Sequence, residues 1–213
     1  MRLSILAATV ATVCLAGANV ALANPLNTGV NPGGSLITPG LTDSAWTGVD
    51  VTQGIPVLTA YAVSGYNGYW LTQTSAEFIS PNQLNGQADN YAYGSSDEID
   101  WSQTFTLTAN GAASDIKGLF AVDNGMLDIV VNGNVVATPS GNFNFLTAFD
   151  IPFADLIDGT NTITFQTVNY AGESGNPTGL LVEFTQIPEP ASAALFGAGV
   201  LALAMAARRR SAV

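Results

Sequence analysis

Between residues 44 and 186, apolar side chains recur at every second position in short runs, and no stretch repeats at helical period. Thr104-Phe105-Thr106-Leu107-Thr108 points Phe and Leu one way and three threonines the other. Leu127, Ile129 and Val131 share a face, as do Ile163, Phe165 and Thr167, and again Leu180, Val182 and Phe184. Val, Ile, Phe and Thr suit a pleated, half-buried surface. Strong turn signals separate these runs. Asn132-Gly133 between two valine runs is a tight-hairpin signature, with positive φ at both residues. Asp123-Asn124-Gly125, with Gly125 at positive φ, and Asp158-Gly159-Thr160-Asn161 mark two further turns. About eight strands follow, and they predict an all-β sandwich of jelly-roll type. The preceding residues 24–43, rich in Asn, Pro and Gly with little to bury, predict a flexible N-terminal arm.

Both ends of the chain fall outside this pattern. Met1-Arg2 opens an apolar run to Ala18, and Ala21-Leu22-Ala23 places small residues where a signal peptidase reads them. Residues 1–23 are therefore expected to be a signal peptide, cleaved between Ala23 and Asn24. At the other end, residues 187–213 hold Pro188-Glu189-Pro190, an uncharged stretch over 191–207, and then Arg208-Arg209-Arg210. As a helix rising ~1.5 Å per residue, that stretch reaches ~25 Å and predicts a short transmembrane helix. Arginines directly behind it belong on the cytoplasmic side, so the body lies outside. The two prolines keep the preceding strand extended and open to a processing enzyme. Pro-Glu-Pro, apolar helix and arginine cluster, in this order, resemble a PEP-CTERM sorting signal. That resemblance implies a Gram-negative bacterium, an exosortase-type enzyme as partner, transient contact with the inner membrane, and export to the envelope, cell surface or extracellular matrix.

The body carries its own exclusions. All sixteen acidic residues lie between Asp43 and Glu189, where Lys117 is the only basic residue. Nucleic acid is bound through Lys and Arg, so it is excluded as a partner. The chain has no histidine, and its single cysteine is Cys14, within the signal peptide. Ser-His-Asp triads, Cys-His pairs and ordinary zinc sites are thereby excluded, and no disulfide can staple the body. No enzyme is expected. Paired carboxylates are the one catalytic option left, and sixteen acids form some close pair by chance.

Two candidate sites remain. Tyr61, Tyr66, Tyr69, Trp70, Tyr91 and Tyr93 crowd one third of the chain, in a Gly- and Asn-rich setting. Sugar rings stack their C–H faces on Tyr and Trp while Asn, Gln and Asp take the hydroxyls. Tyr66-Asn67-Gly68-Tyr69-Trp70 reads as a loop presenting such rings, with Tyr91 and Tyr93 beside it. The same residues equally suit a sandwich core. Asp97, Glu98 and Asp100 form the densest acidic cluster, and Asp123 with Asn124 could complete an oxygen cage for calcium as a cofactor. Glu98 and Asp100 share a strand face while Asp97 points the other way. The alternative is a solvated strand entrance leading into a buried Trp101.

The order of the pieces carries a second resemblance. Glu77-Phe78-Ile79-Ser80-Pro81 precedes Tyr91-Ala92-Tyr93, Trp101-Ser102-Gln103-Thr104-Phe105, Val122-Asp123-Asn124-Gly125 and Val131-Asn132-Gly133. Gly159-Thr160-Asn161-Thr162-Ile163-Thr164-Phe165, Asn169 and Asn176-Pro177-Thr178-Gly179-Leu180 complete the series. From about Ser75 to Phe184 this resembles the galactose-binding-domain-like sandwiches of exported bacterial proteins. The resemblance implies a scaffold, with carbohydrate binding in some members only. The resulting expectation is a non-catalytic surface or matrix protein associated with exopolysaccharide. The rival expectation is a specific carbohydrate-binding module using the Tyr/Trp-rich loop.

Overall fold

The computed structural model describes residues 26–91, 96–107, 115–172 and 176–187. Every regular element in them is a strand except one 3-10 turn, Phe153–Asp155. In chain order the strands are β1 (Thr42–Asp50), β2 (Ile55–Val63), β3 (Phe78–Ser80), β4 (Gln83–Leu84), β5 (Gln87–Ala88) and β6 (Asp97–Leu107). They continue as β7 (Ile116–Asp123), β8 (Gly125–Val131), β9 (Asn134–Ala137), β10 (Thr147–Ile151), β11 (Gly159–Asn169) and β12 (Gly179–Gln186). Ten of them pair in the order β10-β7-β12-β3-β2-β1-β6-β11-β8-β9, all antiparallel. β4 and β5 form a separate ribbon. The short β3, β4, β5 and β9 hold too few residues to show a period, which is why alternation alone suggests about eight strands.

This sheet folds over on itself into a β-sandwich. β10, β7, β12 and β3 lie across the core from β1, β6, β11 and β8. Phe165 of β11 is fully buried, 5.9 Å from the Trp46 ring of β1 and edge-on to Phe149 of β10 at 5.5 Å. Ile99, Trp101, Ile129, Ile163, Phe120, Leu180 and Val182 fill the remainder. The predicted faces hold for Ile163/Phe165/Thr167 and Leu180/Val182/Phe184, all buried. In β8 an irregularity opposite Gln166 and Thr167 makes Met126 the buried residue and leaves Leu127 half-buried.

Turn chemistry follows the sequence at Asn132-Gly133, where φ is +51° and +84°. It differs at the β7–β8 corner. There the chain reverses through a cis Asp123–Asn124 peptide bond, and Gly125 is not among the positive-φ residues.

The expected flexible arm over residues 24–43 is corrected by its described part, residues 26–43. β3 pairs with β12 only at Ile79 and Leu180. The next amides of β12 therefore need other partners, and Asn27 and Thr28 supply them. The Phe184 amide donates to Asn27 Oδ1 (2.7 Å) and the Val182 amide to Thr28 Oγ1 (2.9 Å). Thr28 in turn donates its hydroxyl to the Glu77 carbonyl (2.7 Å), and its own amide reaches Val182 O at 3.1 Å. Asn27, Thr28 and Val30 are buried. Polar side chains that hydrophobicity reads as loop material here complete a sheet.

Candidate functional site

β7 and β12 contain Phe120-Ala121-Val122 and Leu180-Leu181-Val182, with no polar residue at alternate positions. Such strands need cover on both faces. Phe120, Val122, Leu180 and Val182 face the main core. Ala121 and Leu181 face outward into a second cluster with Val63, Phe78 and Ala88. The connection between β2 and β3 lies over that cluster, contributing Trp70 and Ala76.

Trp70 is only 5% exposed. Its ring lies 4.5 Å from that of Phe78, tilted by 44°. A Cβ on Gly179 would come within 2.6 Å of the indole, so glycine is required where β12 passes beneath it. The indole Nε1 donates to Asp123 Oδ2 at 2.9 Å. Trp70 is thus a plug over a second core, and the expectation that it stacks on sugar is corrected. Tyr66 and Tyr61 are partly buried against the same cluster. Tyr69 alone projects from the loop, 71% exposed. Tyr91 packs against the main core and donates its hydroxyl to Asp50 Oδ2 at 2.7 Å. Burial first, then Asp50 and Asp97, hold its phenol protonated well above the ordinary range. Tyr93 lies outside the described residues. Among the expected aromatic residues that are described, Tyr69 is the exposed one, and Tyr61, Tyr66 and Tyr91 are half-buried. Tyr170, just past β11 and 57% exposed, is an aromatic the sequence reading missed. Between Asn169 and Ala171-Gly172 it has no aromatic neighbour in sequence and carries no pattern.

The four candidate calcium ligands do not gather. Asp97 is fully buried at the start of β6, while Glu98 and Asp100 alternate outward, as strand geometry requires. Asp100 accepts both bonds from Gln166 Nε2, each at 3.2 Å. Burial raises its pKa, and burial with the charges of Asp100 and Asp128 raises that of Glu98. Asp123 sits at the end of β7 beneath Trp70, with Asn124 Nδ2 donating to its Oδ1 at 2.6 Å. Burial pushes its pKa up to about 6, against the opposing pull of the indole bond. Among the described residues, no three His, Cys, Asp or Glu stand close enough to hold a metal ion.

The end of the sandwich carries a polar group that sequence reading did not find. Asp50 is fully buried, accepting from Tyr91 Oη and from the Gln53 amide (2.7 Å). Asn169, opposite Asp97 in the β11–β6 register, donates to the Tyr91 carbonyl at 3.1 Å. The Asn176 side chain donates to that carbonyl as well, at 3.0 Å. Asp50 ends an apolar alternation and so reads as a turn residue. The Gln53 amide is such a local turn partner, but Tyr91 lies 41 positions away, beyond any local signal.

Residues 186–210 match the PEP-CTERM protein-sorting motif. No curated protein matches the chain. Among solved structures it is similar to TmCBM61 in complex with β-1,4-galactotriose, at 15% identity and TM-score 0.39, over 70% of this chain and 92% of that one. A family 35 carbohydrate binding module from Clostridium thermocellum shares 21% identity at TM-score 0.28, over 58% and 86%. An FMN-binding β-glucuronidase from Facaelibacterium prausnitzii shares 17% identity at TM-score 0.38, over 67% of this chain. This chain spans 22% of that enzyme's length. The sorting motif contains Pro188, Glu189, Pro190 and Arg208 to Arg210, and it marks the chain as an exported, exosortase-targeted protein of a Gram-negative bacterium.

Proposed function

We propose that this chain is a non-catalytic component of the cell surface or extracellular matrix, associated with exopolysaccharide. The single observation behind this reading is the sorting motif over residues 186–210, joined to an acidic all-β body without histidine or cysteine. The rival reading, a specific carbohydrate-binding module, draws on Tyr69, exposed on a loop whose base is pinned by Trp70. One projecting ring with a half-covered neighbour offers little stacking area for a defined sugar, which favours the matrix role. A glycan array with the purified chain tests both. Weak, unselective binding that persists in Tyr69→Ala is the expected result. A defined ligand lost in Tyr69→Ala, with the melting temperature unchanged, would replace the matrix reading with the module.

A further inference from the structure

Five Asn-Gly pairs occur in the chain, at Asn67, Asn85, Asn110, Asn124 and Asn132. Asn110 lies outside the described residues. The pair has a chemistry of its own. The glycine amide nitrogen can attack the asparagine side-chain carbon, forming a five-membered succinimide and expelling ammonia. Water then opens the ring at either carbonyl, leaving aspartate or isoaspartate. The balance is one water in and one ammonia out, with no oxidation. The reaction needs a free side-chain amide, a free glycine N–H, water, and a backbone able to rearrange.

Three of the four described pairs fail these conditions. Asn132 donates to the Asp155 carbonyl (3.2 Å) and to Asn161 Oδ1 (2.9 Å), and its Oδ1 accepts from the Thr162 amide (3.0 Å). Asn124 donates to Asp123 Oδ1 (2.6 Å) and accepts from the Tyr170 amide (2.8 Å). At Asn85 the side chain is exposed, but the Gly86 amide is held by Gln83 Oε1 at 2.9 Å. Gly86 is itself buried, with Pro39 O only 2.9 Å from where a Cβ would stand.

Asn67-Gly68 has the free side-chain amide, the free glycine N–H and the access to water that the reaction needs. Both residues are exposed, and among the described residues neither the Asn67 side chain nor the Gly68 amide has a hydrogen-bond partner. Apart from its two chain neighbours, nothing lies within 4 Å of the Cβ position of Gly68, so no other part of the chain packs on the turn there. One backbone bond, Tyr69 N to Tyr66 O at 2.9 Å, closes the turn around them. We propose that Asn67 is a self-modification site, converting to aspartate and isoaspartate without an enzyme. Each event adds one negative charge between Tyr66 and Tyr69, at the tip of the loop that covers the second core.

The test is to incubate the purified full-length chain at mildly alkaline pH and map it by peptide mass spectrometry. Deamidation reads as a gain of about one dalton, and the aspartate and isoaspartate peptides elute separately. In the folded protein, Asn67 should convert about tenfold or more faster than Asn85, Asn124 and Asn132, because those three react only after local opening. In urea the four rates should converge, which shows that the fold and not the flanking sequence sets the order. Asn67→Gln should remove that share of the early acidic species on isoelectric focusing which peptide mapping assigns to residue 67. Folded-state conversion of Asn67 no faster than that of Asn124 and Asn132 would overturn the proposal.

Discussion

Asp123 is a buried carboxylate facing an indole, and its surroundings make it a source of pH dependence. Its pKa of about 6 lies above the ordinary value of about 3.9 that it regains on unfolding. Between those two values the folded chain holds a proton that the unfolded chain has lost. The contribution is therefore fully present below about pH 4 and is lost as pH rises through about 6, by about 2–3 kcal/mol. Asp43 and Glu77, also raised by burial, act in the same direction. Urea unfolding should show higher stability at pH 4.5 than at pH 7.5. Asp123→Asn, which has no proton to exchange, should flatten most of that slope. A slope unchanged in this variant would place its origin elsewhere. Trp70, above Asp123, belongs to packing: Trp70→Ala should lower stability by about 3–5 kcal/mol, measured by the same unfolding series.

At the level of elements, the long strands were legible because alternation and turn chemistry are local. β6 and β11 pair along eleven residues, and Phe165 falls in the core as its spacing predicts. Phe165→Ala should cost about 3–5 kcal/mol, enough to endanger a domain without disulfides, with chemical denaturation as the readout. The segment before β1 was not legible. Thr28 is a polar residue in a loop-like composition, and its role depends on β3 and β12 diverging more than forty positions later. Thr28→Val keeps the shape and removes a buried acceptor and donor, so it should destabilise by about 1–3 kcal/mol. Protection of the Val182 amide in hydrogen exchange should fall with it.

Across the whole molecule, charge is the governing quantity. Fifteen acidic residues from Asp43 to Glu183 against Lys117 make the body repel itself, and its one described salt bridge, Lys117 to Asp150 at 3.0 Å, is exposed. Added sodium chloride should raise the melting temperature by screening. Calcium at matched ionic strength should raise it equally, because Asp97, Glu98, Asp100 and Asp123 are dispersed over two strands and both faces. A larger calcium shift abolished by Asp100→Asn would instead establish a site. Processing is the other whole-chain property. Intact mass of material from the envelope should correspond to a start at Asn24 and loss of the tail near Pro188-Glu189-Pro190. A mass that includes Arg208 to Arg210 would mean a retained membrane anchor. What the sequence alone determined was the strand-and-turn grammar, the missing catalytic residue types and the sorting motif, since each is written in neighbouring residues. Whether an aromatic side chain is platform or plug was decided only by tertiary structure. Tyr69 and Trp70 are adjacent in the chain, and one is exposed while the other is buried because β7 and β12 need an outer cover.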